Sequence, residues 1–286
     1  MASPLDNTPT DTTTNIDSTF SSSSTSSSSQ LTRPTSGPLY NPLFGLTCLG
    51  IATHDGAGWF TTTLCALAGA NPAKVNASVH LDKGTYNNAE SATFSVYDID
   101  GNAKKFPVSF LGGGGPGIVN SGDKAWFPGG FRSAVVSAGV KTGEIGDDGK
   151  GVVNNQLFND TGSSDDKLVA AGEWGFKYLT GVDAEKEDVA KDGKNWGMSS
   201  SEENDWMDKA YKNPVIILTN DKSTAKGLEP NQYYTVYLTK NEDKTISVWH
   251  TTTDQNDLLN LFIKVDPKEL KENTRYLYHL KGWAAY

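Results

Sequence analysis

Nucleophilic chemistry at neutral pH needs a thiol or hydroxyl beside a base, and this chain offers few of either. It holds two cysteines, Cys48 and Cys65, and four histidines. His54-Asp55 and His250 could approach one another, but a metal site wants three ligands in fixed geometry, so surface histidines are the expectation. Thr61, Thr62 and Thr63 offer hydroxyls, yet a helical threonine usually bonds back to its own turn. Asp98-Ile99-Asp100-Gly101-Asn102 opens like a calcium loop, but Val108 stands where its closing acidic residue is needed, so a hairpin turn is expected. Asp147-Asp148 and Asp165-Asp166 read as a solvated acidic face. Gly112–Gly115 before Pro116 lacks the Lys-Ser/Thr of a phosphate loop and reads as a connection. No metal and no cofactor is therefore expected. The cysteine count is compatible with two thiols or one disulfide; Cys65 lies in an apolar stretch and reads as a buried thiol in the core.

These residues must be positioned by a chain of 286 residues, enough for a substantial core. The net charge of −9 argues against non-specific binding to nucleic acid or anionic lipid. No run approaches the ~20 apolar residues that cross a bilayer, so no membrane insertion is expected. Met1-Ala2-Ser3-Pro4-Leu5-Asp6 lacks the basic and apolar parts of a signal peptide, which makes an intracellular protein the expectation.

Residues 1–38 are mostly Ser, Thr, Asp, Asn and Pro, with a serine tract at Ser21–Ser29. Such a segment buries too little apolar surface to offset its ordering entropy, so on its own it should be disordered. Folded sequence is expected from Leu39 onward, with a helix after Gly58. Phe94–Tyr97 and Phe106–Phe110 flank the Asp98–Asn102 turn as a strand pair; Phe106, Val108 and Phe110 alternate as a half-buried strand requires. Trp126–Val140 and Lys167–Thr180 read as helices, the second stopped by Gly181. Asp183–Ser201 is charged and poorly periodic, a seam between two lobes. A helix near Glu202–Tyr211 precedes a buried strand at Pro214–Leu218. Tyr234–Leu238 and Thr245–Trp249 form a hairpin about a polar turn. Asp266-Pro267-Lys268-Glu269 is a helix start, and Tyr276–Leu280 a last aromatic strand.

The order of these pieces resembles the core of calpain-type (papain-like) cysteine proteases across about 45 to 280. Gly56-Ala57-Gly58-Trp59-Phe60, with the small apolar helix running on to Asn71-Pro72, is similar to the family's active-site helix, which begins Gly-x-Cys-Trp. Gly172–Gly181 resembles its helix ending in Leu-Thr-Gly, and Trp126 the tryptophan that opens the preceding one. Gly227-Leu228-Glu229-Pro230-Asn231-Gln232-Tyr233-Tyr234-Thr235-Val236 is similar to its Gly-Leu-Val-x-x-His-Ala-Tyr-Ser/Thr-Val segment. Lys264-Val265-Asp266 with the following helix is similar to its closing unit.

The resemblance implies an α+β fold of two lobes behind a Ser/Thr-rich arm: a helical lobe over 39–185 and a mostly antiparallel β-rich lobe over 200–286. It also implies an emptied active site. The nucleophilic cysteine matches Gly58, the histidine Gln232, the asparagine His250, and the oxyanion glutamine falls near Ala52. A glycine carries no nucleophile, and a glutamine exchanges no proton near neutral pH. The resulting expectation is a non-catalytic structural, linker or scaffold component that binds protein partners through its arm. Two other readings compete: a pseudoprotease holding a peptide in the vestigial cleft or regulating an active protease, and a hydrolase using unusual residues.

Deleting the arm is expected to weaken assembly with a partner. Strong hydrogen-exchange protection of that segment in the isolated monomer contradicts the reading.

Overall fold

The computed structural model describes residues 34–51, 58–110, 125–141, 165–189, 200–249 and 262–286. Ala52, His54, Asp55, Gly112–Gly115, Asp147-Asp148, His250 and most of the arm lie outside them.

Helix α1 (Gly58–Ala70) follows a short 3-10 turn at Cys48–Gly50. Every residue from Trp59 to Ala68 is buried. A helix with no charged residue and no exposed face over these ten positions belongs in an interior rather than on a surface. Asn71 ends α1 and caps α2 (Pro72–Ala77): its side chain accepts from the Lys74 N–H, and Pro72 sits where no N–H is needed.

A three-stranded antiparallel sheet follows, of β1 (Val79–Thr85), β2 (Asn88–Tyr97) and β3 (Ala103–Ser109), in sequence order. Phe94 pairs with Phe106 and Ala92 with Val108, which puts the alternating apolar residues on one covered face. Helix α3 (Phe127–Lys141) packs on that face, with Phe131 at 5.1 Å and Trp126 at 5.8 Å from the Phe94 ring. The strand pair and the turn at Asp98 are as the sequence predicts. β1 and the first half of β2 are not anticipated by it, because their outer residues, Lys83 to Asn88, are largely exposed and lack apolar alternation.

Helix α4 (Asp165–Thr180) ends on Gly181 at φ +73°, the left-handed stop the sequence predicts. The second sheet has six strands: β4 (Ala184–Asp188), β5 (Val215–Thr219), β6 (Tyr233–Leu238), β7 (Ile246–Trp249), β8 (Phe262–Val265) and β9 (Thr274–Leu280). Their spatial order is β4-β9-β5-β6-β7-β8, antiparallel throughout. The fold is thus mixed α+β with antiparallel sheets.

The six-stranded sheet is an internal layer. Ile216, Leu218, Tyr233, Trp249 and Tyr278 face the core built by α1, α4 and the three-stranded sheet. Val215, Ile217, Tyr234, Val236, Val248 and Leu277 face a second core. Helix α5 (Ser200–Ala210) supplies Trp206 and Ala210 to that second core, and α6 (Pro267–Asn273) supplies Leu270. Burial on both faces explains why β5 reads as an unbroken apolar run. Helix α6 starts as expected: the Asp266 carboxylate accepts from the Lys268 and Glu269 N–H groups, and Pro267 follows it.

Two expectations need correction. The segment from Asp183 is not simply a seam: Ala184–Asp188 pairs with β9 as the edge strand β4. Its charges mark a solvated, edge-protecting strand rather than a loop. Cys65 is buried as predicted, but not as a thiol. It is disulfide-bonded to Cys48, with Cα atoms 4.7 Å apart. The 3-10 turn at Cys48–Gly50 packs on α1 and brings the pair together, a tertiary contact with no local sequence signature. Such bonds persist where thiols are not held reduced.

Closing a loop between cysteines 17 residues apart stabilises the fold by about 3 kcal/mol on a chain-entropy basis. Reduction under native conditions should therefore lower the denaturant midpoint, and a thiol assay on unreduced, unfolded protein should find no free sulfhydryl. Gly172→Ala should destabilise by about 1–3 kcal/mol in the same unfolding assay. An added Cβ there lies 2.7 Å from the Tyr278 ring, which is fully buried.

Candidate functional site

Gly58 is the first residue of α1, and Gln232 immediately precedes β6. The fold brings these distant stretches together. Among the described residues, a Cβ built on Gly58 would meet the Cβ of Tyr233 at 3.9 Å. Deeper along the same contact, the Thr235 hydroxyl donates to the Thr62 carbonyl at 2.6 Å, across 173 residues of sequence. The stretches that carry two of the positions singled out by motif therefore pack at one junction of helix and sheet, with Tyr233 rather than Gln232 against Gly58. His250 directly follows Trp249, the buried end of β7, and with Ala52 it lies outside the described residues.

The backbone at Gln232 is tightly held. Its N–H donates to the Thr219 hydroxyl at 2.9 Å, and its carbonyl accepts from the Thr219 N–H at 3.0 Å. Asn231 before it turns at φ +55°, a conformation asparagine tolerates better than most residues. Gln232 itself is half-buried.

Sequence reasoning overlooked Tyr233, which stands where the resembling segment has alanine. The Tyr233 ring leaves the junction for the core, packs 5.9 Å from the Tyr278 ring, and its hydroxyl donates to the Leu168 carbonyl. The Tyr278 hydroxyl donates to the neighbouring Val169 carbonyl at 2.8 Å. Both phenols are thus tied to the backbone of α4. Burial pushes both far above the ordinary tyrosine range, so neither forms a phenolate near neutral pH. Half-buried Glu173 is nearby, and burial raises its carboxyl against the pull of Lys186. Only the Gln232-Tyr233-Tyr234 spelling, in place of His-Ala-Tyr, hinted at this tyrosine pair.

Other candidates resolve structurally. The Thr62 and Thr63 hydroxyls donate to the Gly58 and Trp59 carbonyls at 2.6 and 2.7 Å, the back-bonding expected of them. Asp98 closes the β2–β3 turn. Its carboxylate accepts from the Asn102 N–H at 2.7 Å and pairs with Lys104 at 3.1 Å. Burial pushes that carboxyl up, but the hydrogen bonds from Asn102 and Lys104 outweigh it and leave the pKa lowered. Asp165 is more than a solvated charge. Its two oxygens receive the Arg275 guanidinium at 2.5 and 2.8 Å, and this bond holds its carboxyl below the usual range. Of the described histidines, His80 is exposed on β1. His279 is fully buried, with its ring nitrogens 2.8 Å from the Leu280 carbonyl and 3.2 Å from Glu187. Among the described residues no group of three His, Cys, Asp or Glu side chains could hold a metal ion.

At the Gly58–Tyr233 junction the described side chains therefore offer no thiol, imidazole or ionised phenol. No family model matches this chain, and no curated protein matches it. No described helix is long and apolar enough to cross a membrane.

Gly58→Cys should fold with a stability change below about 1 kcal/mol, since among the described residues the new Cβ meets an ordinary contact. The variant should still turn over no unfolded protein substrate, because single repairs of a catalytic unit restore little. Robust turnover by that variant, abolished by alkylation, overturns the assignment of Gln232 to the base position.

Proposed function

We propose that this chain is a calpain-like domain without catalytic activity that serves as a structural, linker or scaffold component of a multiprotein assembly. The observation that carries the reading is the junction at Gly58. The two stretches resembling the family's nucleophile and base segments lie against each other, and glycine and glutamine occupy the places of cysteine and histidine. A helix start packed on a strand start is where such a protease needs its thiol and imidazole. The arrangement supports common ancestry with that architecture while leaving nothing at those two positions to attack a peptide bond.

The tyrosine pair supports the same reading. Tyr233 and Tyr278 anchor β6 and β9 to α4 through hydrogen bonds to consecutive carbonyls of α4. Side chains at the junction contribute to packing rather than to proton transfer. Function then rests on surfaces and on the polar arm.

Native purification of the tagged full chain should recover it in a complex larger than its own 30.7 kDa, with no hydrolysis of a fluorogenic casein by the isolated chain. A strictly monomeric chain that cleaves casein at a rate abolished by Gln232→Ala overturns the proposal in favour of an atypical hydrolase.

A further inference from the structure

Six large apolar side chains are exposed among the described residues, and three of them, Leu43, Phe44 and Tyr86, lie in one region. Leu43 is the most exposed of the six, at 86%. The Tyr86 ring stacks on Tyr40 at 5.7 Å and 18°, and the Tyr86 carbonyl accepts from the Leu39 N–H at 2.8 Å. These contacts set the β1–β2 turn beside the segment that carries Leu43 and Phe44. Apolar residues exposed singly are ordinary on any surface, whereas a cluster of them needs an account.

The cluster is held rigidly. The side-chain oxygen of buried Asn41 accepts from the Leu43 and Phe44 N–H groups, both at 2.8 Å, and the Asn41 carbonyl accepts from the Gly45 N–H at 2.8 Å. Gly45 closes the turn at φ +66°, where glycine carries no side-chain penalty. On either side the chain is tied to the core, at Leu39 by complete burial and at Cys48 by the disulfide. A turn fixed in this way loses little conformational entropy on binding.

Charge is absent from the same stretch. Residues 34–51 contain no Asp, Glu, Lys, Arg or His, although 21% of the chain is charged. Depletion of charge with retention of aromatic residues is the composition of an interface centre. With a net charge of −9, two copies of the chain repel one another where acidic surfaces meet, so a face without charge is where they approach at least cost. The patch is also self-complementary in form, with the projecting tip of Leu43 and Phe44 beside the flat pair of Tyr40 and Tyr86.

We propose that this patch joins two copies of the chain about a two-fold axis, the Leu43–Phe44 tip of each copy seated on the Tyr86 ring of the other. In such an isologous contact each pairing occurs twice. The contact is independent of Gly58 and Gln232 and holds whether or not their junction is catalytic. Its area is small, so the dimer is a weak one.

The test is sedimentation equilibrium of the full chain from about 5 to 500 µM, the range in which small interfaces exchange. The mass should rise with concentration from 30.7 kDa toward twice that value. Raising sodium chloride from about 50 to 500 mM should leave the association unchanged or strengthen it, because only repulsion is screened. Leu43→Lys and Tyr86→Asp should each weaken it at least about tenfold without moving the melting temperature. Tyr211→Ser, at an exposed tyrosine outside the patch, should leave it unchanged. Mixing the Leu43→Lys and Tyr86→Asp chains in equal amounts should restore a dimer: one contact then pairs lysine with aspartate, and the other pairs leucine with tyrosine as in the unaltered chain. A mass that stays at that of one chain over the whole range, a mixture that stays monomeric, or equal weakening by Tyr211→Ser overturns the proposal. It is also overturned if a monomeric chain binds neutral phosphatidylcholine vesicles, or a different protein in the native complex, and loses that binding on Leu43→Lys; those outcomes assign the patch to a bilayer or to an unlike partner.

Discussion

The described fold is organised around a helix with no face left for water. From Trp59 to Ala68 every side chain of α1 is buried, so each side of the helix must be covered by another element. The six-stranded sheet covers it through β5 and β6, α4 lies against it, and the turn at Cys48–Gly50 is joined to it covalently. Three threonines inside such a helix would be costly if their hydroxyls were unpaired. They return to the backbone of their own turn, and the Thr62 carbonyl accepts a further bond from Thr235. The sheet is thereby aligned on the helix by a directed bond as well as by apolar contact.

Burying that helix fixes where its first residue goes. Gly58 emerges at the edge of β6 and meets Tyr233. In a hydrolase this junction would trade stability for a strained, polar, proton-exchanging pair. Here a second trade is visible, because Tyr233 and Tyr278 spend their hydroxyls on carbonyls of α4 and gain a buried aromatic contact. Close approach at this interface also constrains α4: an added Cβ at Gly172 would press on Tyr278, and one at Gly175 would press on Thr63 of α1. The proposed loss of catalysis and this dense packing are consistent aspects of one interface.

Much of the architecture was legible wherever a local rule acts alone. Asp266-Pro267 starts α6, Gly181 stops α4, Asp98 closes the β2–β3 turn, and the apolar run at Val215–Thr219 is a strand buried on both faces. Each depends on backbone geometry or burial within a few residues of sequence. The missed elements β1, β4 and β8 are edge strands; β1 and β4 carry mostly polar residues, and β8 is only four residues long. Their pairing is decided by a partner strand, so their own composition does not announce it.

The sequence by itself determined which groups are absent from positions 58 and 232, because residue identity alone decides whether a thiol or an imidazole exists there. It also pointed to an interior setting for α1, whose residues are apolar or small apart from three threonines that can bond back to their own turn. Only the tertiary structure decided that Cys48 and Cys65 are joined, that Gly58 and Tyr233 are neighbours, and that Tyr40 and Tyr86 stack. These facts depend on contacts between residues far apart in the chain, and such contacts arise from how whole faces pack rather than from any local pattern.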